Sequence, residues 1–219
     1  MLLLSRSVDA PSFLNRLLAL AGVVGLLALP SAAGAATVTA SASPFTGSSL
    51  SASVEIDDAA DPGNLVITLS VDDGGNIGDL RGIFFQVTDE SLLDGLSVSG
   101  DEVTSSAFSA DNVINLGGGS NLNGGGSPCF CDIGIEFGSP GIGKDDIQSV
   151  TFTLSHDSES LDISLFENQD FGVRATSVGD AGGSRNHSSK LIGVVPEPST
   201  AILMLLGLAG LAGVRTPRH

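Results

Sequence analysis

The sequence predicts an all-β domain, an antiparallel β-sandwich of jelly-roll-like form, and three observations carry that prediction. Apolar residues recur with period two along most of the middle of the chain. The alternating runs are short and are separated by Gly, Asp, Asn and Pro. Between the two hydrophobic ends there is no long stretch with a 3.6-residue period, so no helix competes for the core.

Residues 1–36 read as a secretory signal peptide. Arg6 and Arg16 supply a positive n-region, and Leu17 to Leu29 is continuously apolar. Pro30 breaks that run, and Ser31-Ala-Ala-Gly-Ala-Ala36 offers the small residues that a signal peptidase needs. An uncleaved anchor is the alternative reading.

Residues 37–194 form one domain's worth of chain. In Ser49 to Asp57, Leu50, Ala52, Val54 and Ile56 fall on one face and Ser49, Ser51, Ser53 and Glu55 on the other. Leu65, Ile67, Leu69 and Val71 alternate again after the turn Asp57 to Gly63. Further strands are predicted at Ile83 to Val87, Leu96 to Ser99, Ile133 to Phe137, Val150 to Leu154, Leu161 to Leu165 and Phe171 to Val178. Asp89 to Leu93 reads as one helical turn.

Charge excludes one class of partner. All 25 acidic residues except Asp9 and Glu197 lie in the domain, against Arg81, Lys144, Arg174, Arg185 and Lys190, a net charge of about −18. Such a surface repels phosphate backbones, so nucleic acid is not a partner. The same acidity favours solubility and attracts divalent cations.

Residues 116–128, with two triple-glycine runs, read as a mobile loop or a linker inside the domain. Cys129-Phe130-Cys131 follows. Residues two apart on a strand point to the same side, and an exported chain meets oxidising conditions. A local disulfide is therefore the first reading. Reduced or intermolecularly bridged thiols, and a soft metal such as copper(I), remain open. A bridge here would pin the end of the glycine loop to Ile133 to Phe137.

Two acidic groups are candidates for a hard cation: Asp57, Asp58 and Asp61 in one turn, and Asp72, Asp73, Asn76 and Asp79 in the next. Calcium takes several oxygens from a flexible loop, which the second group could supply with backbone carbonyls. A solvated hairpin is the plainer reading. Arg81 is expected on the strand face shared by Ile83, Phe85 and Val87, where a buried charge needs a carboxylate or carbonyls. Arg174 is expected to be exposed or at the rim, out of phase with Phe171, Val173 and Ala175.

No catalytic set stands out. His156 ends a strand beside Asp157, and His187 lies in a polar stretch; both read as solvated turn histidines. No nucleophile-elbow motif accompanies the serines. The expectation is a non-enzymatic protein, and a secreted hydrolase is the least supported alternative.

The C-terminal residues 195–219 form three parts. Val195-Pro196-Glu197-Pro198-Ser199-Thr200 is a polar turn that no helix can cross, because of its prolines. An apolar helix is expected over 201–214, capped by Ser199 or Thr200 and apolar all round, as suits lipid. Residues 215–219, with Arg215 and Arg218, are basic, and the positive-inside rule keeps them cytoplasmic. A buried C-terminal helix of the domain is the alternative.

Val195-Pro-Glu-Pro198, the short Gly/Ala/Leu-rich helix and terminal Arg resemble the PEP-CTERM sorting signal of exosortase-processed bacterial proteins. That resemblance implies export and recognition near the Pro-Glu-Pro by a membrane-embedded exosortase. It further implies delivery from an inner-membrane intermediate to the outer envelope or exopolysaccharide matrix. Gly78-Asp-Leu-Arg-Gly-Ile-Phe-Phe85 and Gln169-Asp-Phe-Gly-Val-Arg174 resemble cyanobacterial-type members of that class, a likeness that implies no activity. The function expected is a structural or adhesive component of the cell surface associated with exopolysaccharide. A calcium-dependent carbohydrate-binding module is the alternative.

Overall fold

A computed structural model describes residues 36–125, 129–141 and 143–197. The signal peptide, the tip of the glycine-rich segment, Pro198 and Arg215 of the sorting motif, and the expected helix over 201–214 lie outside the described residues. Among the described residues the strands are β1 (Thr37–Gly47), β2 (Ala52–Asp57), β3 (Leu65–Val71), β4 (Ile77–Phe85), β5 (Leu96–Ser99) and β6 (Val103–Phe108), then β7 (Asn115–Gly117), β8 (Ser120–Asn121), β9 (Ile133–Phe137), β10 (Ser149–His156), β11 (Asp170–Gly179) and β12 (His187–Val194). Two short 3₁₀ turns, Glu90–Leu92 and Ile163–Phe166, are the other regular elements among those residues.

Ten strands form one antiparallel sheet in the order β5-β10-β3-β2-β1-β12-β11-β4-β9-β6. The two end strands are consecutive in sequence, joined through a turn in which Val103 N–H donates to Gly100 O. The sheet therefore comes nearly full circle into a barrel. The sequence expectation of an all-β antiparallel domain holds, but its division into two sandwich sheets does not. β1 is the reason: Thr37 to Ala42 pair with β2, and Ser43 to Gly47 pair with β12. A bulge at Pro44/Thr46 turns the strand between its two partners. Proline has no amide to give a ladder, which suits that corner.

Along β1, β2, β3 and β10 the sequence alternation is the burial alternation. Val38, Ala40, Ala42, Val54, Ile56, Leu65, Ile67, Leu69, Val150, Phe152 and Leu154 point into the core. Each fully buried Leu, Ile or Phe contributes about 1.5–3 kcal/mol. Rings stack within this core, Phe85 against Phe166 at 4.6 Å and Phe137 against Phe152 at 5.5 Å.

β4, β9 and β11 differ, being buried on both faces. Their outer face carries a second cluster of Phe84, Val113, Leu122, Cys129 and Cys131. The segment from Val113 to Leu122 lies directly on the sheet there, because the strands beneath it are paved with glycine. A methyl at Gly134 would come 2.6 Å from Val113 Cγ1, and one at Gly172 would overlap Leu122 Cδ1.

Three sequence expectations are corrected. Leu161 to Leu165 is not a strand: Asp162 Oδ1 accepts the Ser164 amide at 2.9 Å and starts a 3₁₀ turn instead. Residues 116–125 are not a structureless linker but the β7–β8 hairpin, with Ser120 and Leu122 fully buried. β1 and β6 arise from Ala-, Ser- and Thr-rich runs whose alternation is too weakly apolar to read, and β12 from a run whose apolar residues are confined to its second half. The turn at Asp89 matches its expectation, with Asp89 Oδ1 capping Ser91.

Candidate functional site

Four places on the domain concentrate polar chemistry. The first is where the domain ends and the sorting motif begins. β12 runs between β1 and β11 and pairs Val194 with Asp170. Val195, the next residue, is fully buried. Its amide donates to Gln169 O at 3.0 Å and its carbonyl accepts from Asn168 N–H at 2.8 Å. Pro196 and Glu197 are exposed. The Asn168 side-chain amide donates to Glu197 Oε1. Asn168 itself has φ of 56°, the left-handed region that Asn tolerates better than most residues. The motif thus begins inside the fold, with no spacer.

The second is a buried ion pair under the glycine hairpin. Arg81 is 2% exposed; its Nη2 lies 3.0 Å from Glu136 Oε1, and Nη1 donates to Phe137 O. A bulge in β4 between Leu80 and Gly82, facing β11, shifts the strand's phase at this residue. Arg81 therefore leaves the face of Ile83 and Phe85 and reaches Glu136, whose neighbours Ile135 and Phe137 point into the core. Ser120 Oγ, from the hairpin, donates to Arg81 O at 3.1 Å. Arg174 and Lys190 are cross-strand partners that hold the same hairpin. Arg174 Nε donates to Gly119 O, and Lys190 Nζ donates to Asn121 Oδ1 and Asn123 O. Burial lowers the pKa of both, and for Lys190 the Arg174 charge adds to the effect. Arg174 is thus half-buried, with its guanidinium on the hairpin backbone.

The third is Asp132, 1% exposed, just before β9. Its Oδ2 accepts from Val87 N–H and its Oδ1 from Asp111 N–H, at 2.8 and 2.6 Å. Asp111 has φ of 53°. Oxygens of Glu90, Asp111 and Asp132 lie within 4.8 Å of one another, which makes them a candidate set for a hard cation. Sequence reading missed this trio because its members are 21 residues or more apart and meet only through the pairing of β9 with both β4 and β6.

The cation set expected in one loop is divided: Asp72, Asp73 and Asn76 line one recess, and Asp79 does not join them. Asp79 is fully buried in β4, where Oδ1 accepts Ile147 N–H at 3.1 Å and Oδ2 accepts Thr176 Oγ1–H at 3.3 Å. Burial raises its pKa above the usual 3.8, against the opposing pull of the Ile147 amide and the Arg81 charge. Asn76 spends its amide on Ser49 O. Asp72 and Asp73 line a shallow recess with Ser49, Ser51 and Gly74. In the other acidic turn, Asp57 caps Ala59 and Ala60, Asp58 accepts Ala36 N–H and Asp61 accepts the Asn64 amide.

Cys129 and Cys131 are joined as a disulfide with Cα atoms 5.2 Å apart, and both are buried beside Phe84. Cys131 O accepts Val113 N–H at 2.8 Å, so the bridge sits where the hairpin returns to β9. Phe130 between them is exposed. His156 is not a solvated histidine: its side chain is 5% exposed, and Nδ1 accepts the amides of Ser158 and Glu159. His187 is exposed. A cleft of about 390 Å³ near Lys144, Asp146, Ser177 and Arg185 is crossed by the Arg185–Asp146 pair, which lowers the Asp146 pKa and raises that of Arg185.

The fourth place is the outer face of β1, β2, β3 and β10. Their registers set Ser41, Ser53, Ser70 and Ser149 in one row across the sheet. Thr39, Glu55, Thr68 and Thr151 form the next row. Neighbouring hydroxyls bond across strands, Thr68 to Thr151 at 2.9 Å and Ser70 to Ser149 at 2.8 Å. On this strongly acidic protein, Glu55 is the only charge in the two rows.

No curated protein and no solved structure matches the chain. The PEP-CTERM protein-sorting motif matches residues 194–218, so the chain carries that motif at the end of β12 and through the residues that follow, consistent with an exosortase-processed protein sorted to the cell envelope or extracellular space.

Proposed function

We propose that this protein is a non-enzymatic, structural or adhesive component of the cell surface or extracellular matrix that associates with exopolysaccharide. The observation that carries this reading is the hydroxyl face of β1, β2, β3 and β10. Two rows of Ser and Thr at strand spacing, with Glu55 their one charge, offer regularly placed donors and acceptors on the outer face of the sheet. Such a face suits a neutral polyhydroxylated chain lying along it, while the acidic remainder of the surface keeps the protein soluble. The sorting motif supports delivery to the place where such polymers are found. On this reading the precursor is held in the inner membrane by residues 201–214 until exosortase releases it. The test is co-sedimentation of purified domain with the host's exopolysaccharide. Wild-type domain should pellet with the polymer, and the double variant Ser53→Glu/Ser70→Glu should not; equal pelleting of both would remove the support.

A calcium-dependent carbohydrate-binding module is the second reading, favoured by the Glu90, Asp111 and Asp132 oxygens. Calorimetry with a sugar panel, with and without chelator, separates the two. Saturable binding abolished by chelator supports the module, and chelator-insensitive binding supports the hydroxyl face.

A further inference from the structure

We infer that Asn168 and Gln169 form a clasp that holds the start of the sorting motif on the folded domain, so that the processing enzyme must compete with the domain for Glu197. This rests on the reading that exosortase processes the chain. Three bonds make the clasp: Val195 N–H to Gln169 O, Asn168 N–H to Val195 O, and the Asn168 side-chain amide to Glu197. The first two lie beside a fully buried Val195, and the strand that leads to it is interior to the sheet. The third is exposed and joins two side chains, so it is the step that opens first.

Two consequences follow from this geometry. Removing Val195 would take a residue out of the core, so the mature protein ends at or beyond Val195. The motif's glutamate is also one turn of chain away from a strand that cannot be withdrawn without opening the barrel. The domain therefore sits against the processing enzyme instead of hanging from a tether, and the clasp sets how often Glu197 is offered to it.

The experiment uses the full chain in its host, with and without the exosortase gene, following conversion of precursor to mature form by pulse-chase and intact mass. Asn168→Gly keeps the left-handed backbone and deletes only the side-chain amide. Asn168→Asp keeps the backbone and sets a like charge against Glu197. Both variants should mature about two- to fivefold faster than wild type, the aspartate at least as fast as the glycine, since one exposed hydrogen bond to a charged group is lost. Unchanged or slower maturation, or a mature chain ending before Val195, overturns the clasp. If no strain processes the tail, the sorting reading is what fails. The clasp is then decided by hydrogen exchange on the purified full chain in detergent, where protection of the Val195 amide should fall two- to fivefold in Asn168→Gly and equal protection would overturn it.

Discussion

The guanidinium of Arg81 and the carboxylate of Glu136 meet at 3.0 Å under the β7–β8 hairpin, with Arg81 only 2% exposed. A pair buried this deeply is costly to break on one side, because the surviving charge keeps its desolvation penalty. Arg81→Met should lower unfolding stability by about 3–5 kcal/mol in urea titration. The double variant Arg81→Met/Glu136→Met should recover most of that loss. A double variant no better than the single would show that the arginine acts through Phe137 O rather than through the pair.

Gly172→Ala should cost about 1–3 kcal/mol, because the added methyl would overlap Leu122 Cδ1. The strain falls on the hairpin, so exchange of the Leu122 amide, which donates to Ile114 O, should speed up more than exchange in β2 or β3. Thermal melting with residue-resolved hydrogen exchange checks both halves.

Asp132→Ala leaves the Val87 and Asp111 amides without their acceptor. An orphaned buried donor costs about 1–3 kcal/mol, and the part-buried Asp111 amide adds less, so a loss of about 2–4 kcal/mol is expected by chemical denaturation. Asp132→Asn keeps one acceptor oxygen and should fall between that variant and wild type.

Asp79 predicts a pH dependence. Burial raises its folded-state pKa above 3.8, so the folded protein holds this proton where the unfolded chain has released it. The contribution is fully present below about pH 3.8 and is lost as pH rises through the folded-state value. Asp79→Asn keeps an acceptor for Ile147 N–H and removes the titration. It should melt higher than wild type at pH 7 and at the same temperature near pH 3.5. A lower Tm at pH 7 would mean that the charge itself is needed beside Arg81.

Replacing both Cys129 and Cys131 by Ala should cost about 1–2 kcal/mol, because a bridge between residues two apart closes a very small loop. Equilibrium unfolding of the double variant, beside wild type with and without reductant, measures it.

Short-range pattern carries several elements of this protein without help from the fold. Leu65–Val71, Leu96–Ser99 and Ile133–Phe137 read out to the residue, because period-two alternation bounded by turn residues marks where each strand begins and ends. The Pro-Glu-Pro motif and its apolar sequel are likewise local, and the match over residues 194–218 agrees with them. The remaining features emerge only in the folded chain, since each joins residues far apart in sequence. Arg81 finds Glu136 through a bulge that alternation cannot reveal. The glycine-rich run becomes a hairpin because Gly134 on β9 and Gly172 on the distant β11 leave room for it. Asp79 leaves the acidic loop to which its spacing assigned it, because β4 carries it inward to Ile147 and Thr176. Val195 belongs at once to the sorting motif and to the core, because β12 is an interior strand whose end must still satisfy its backbone bonds.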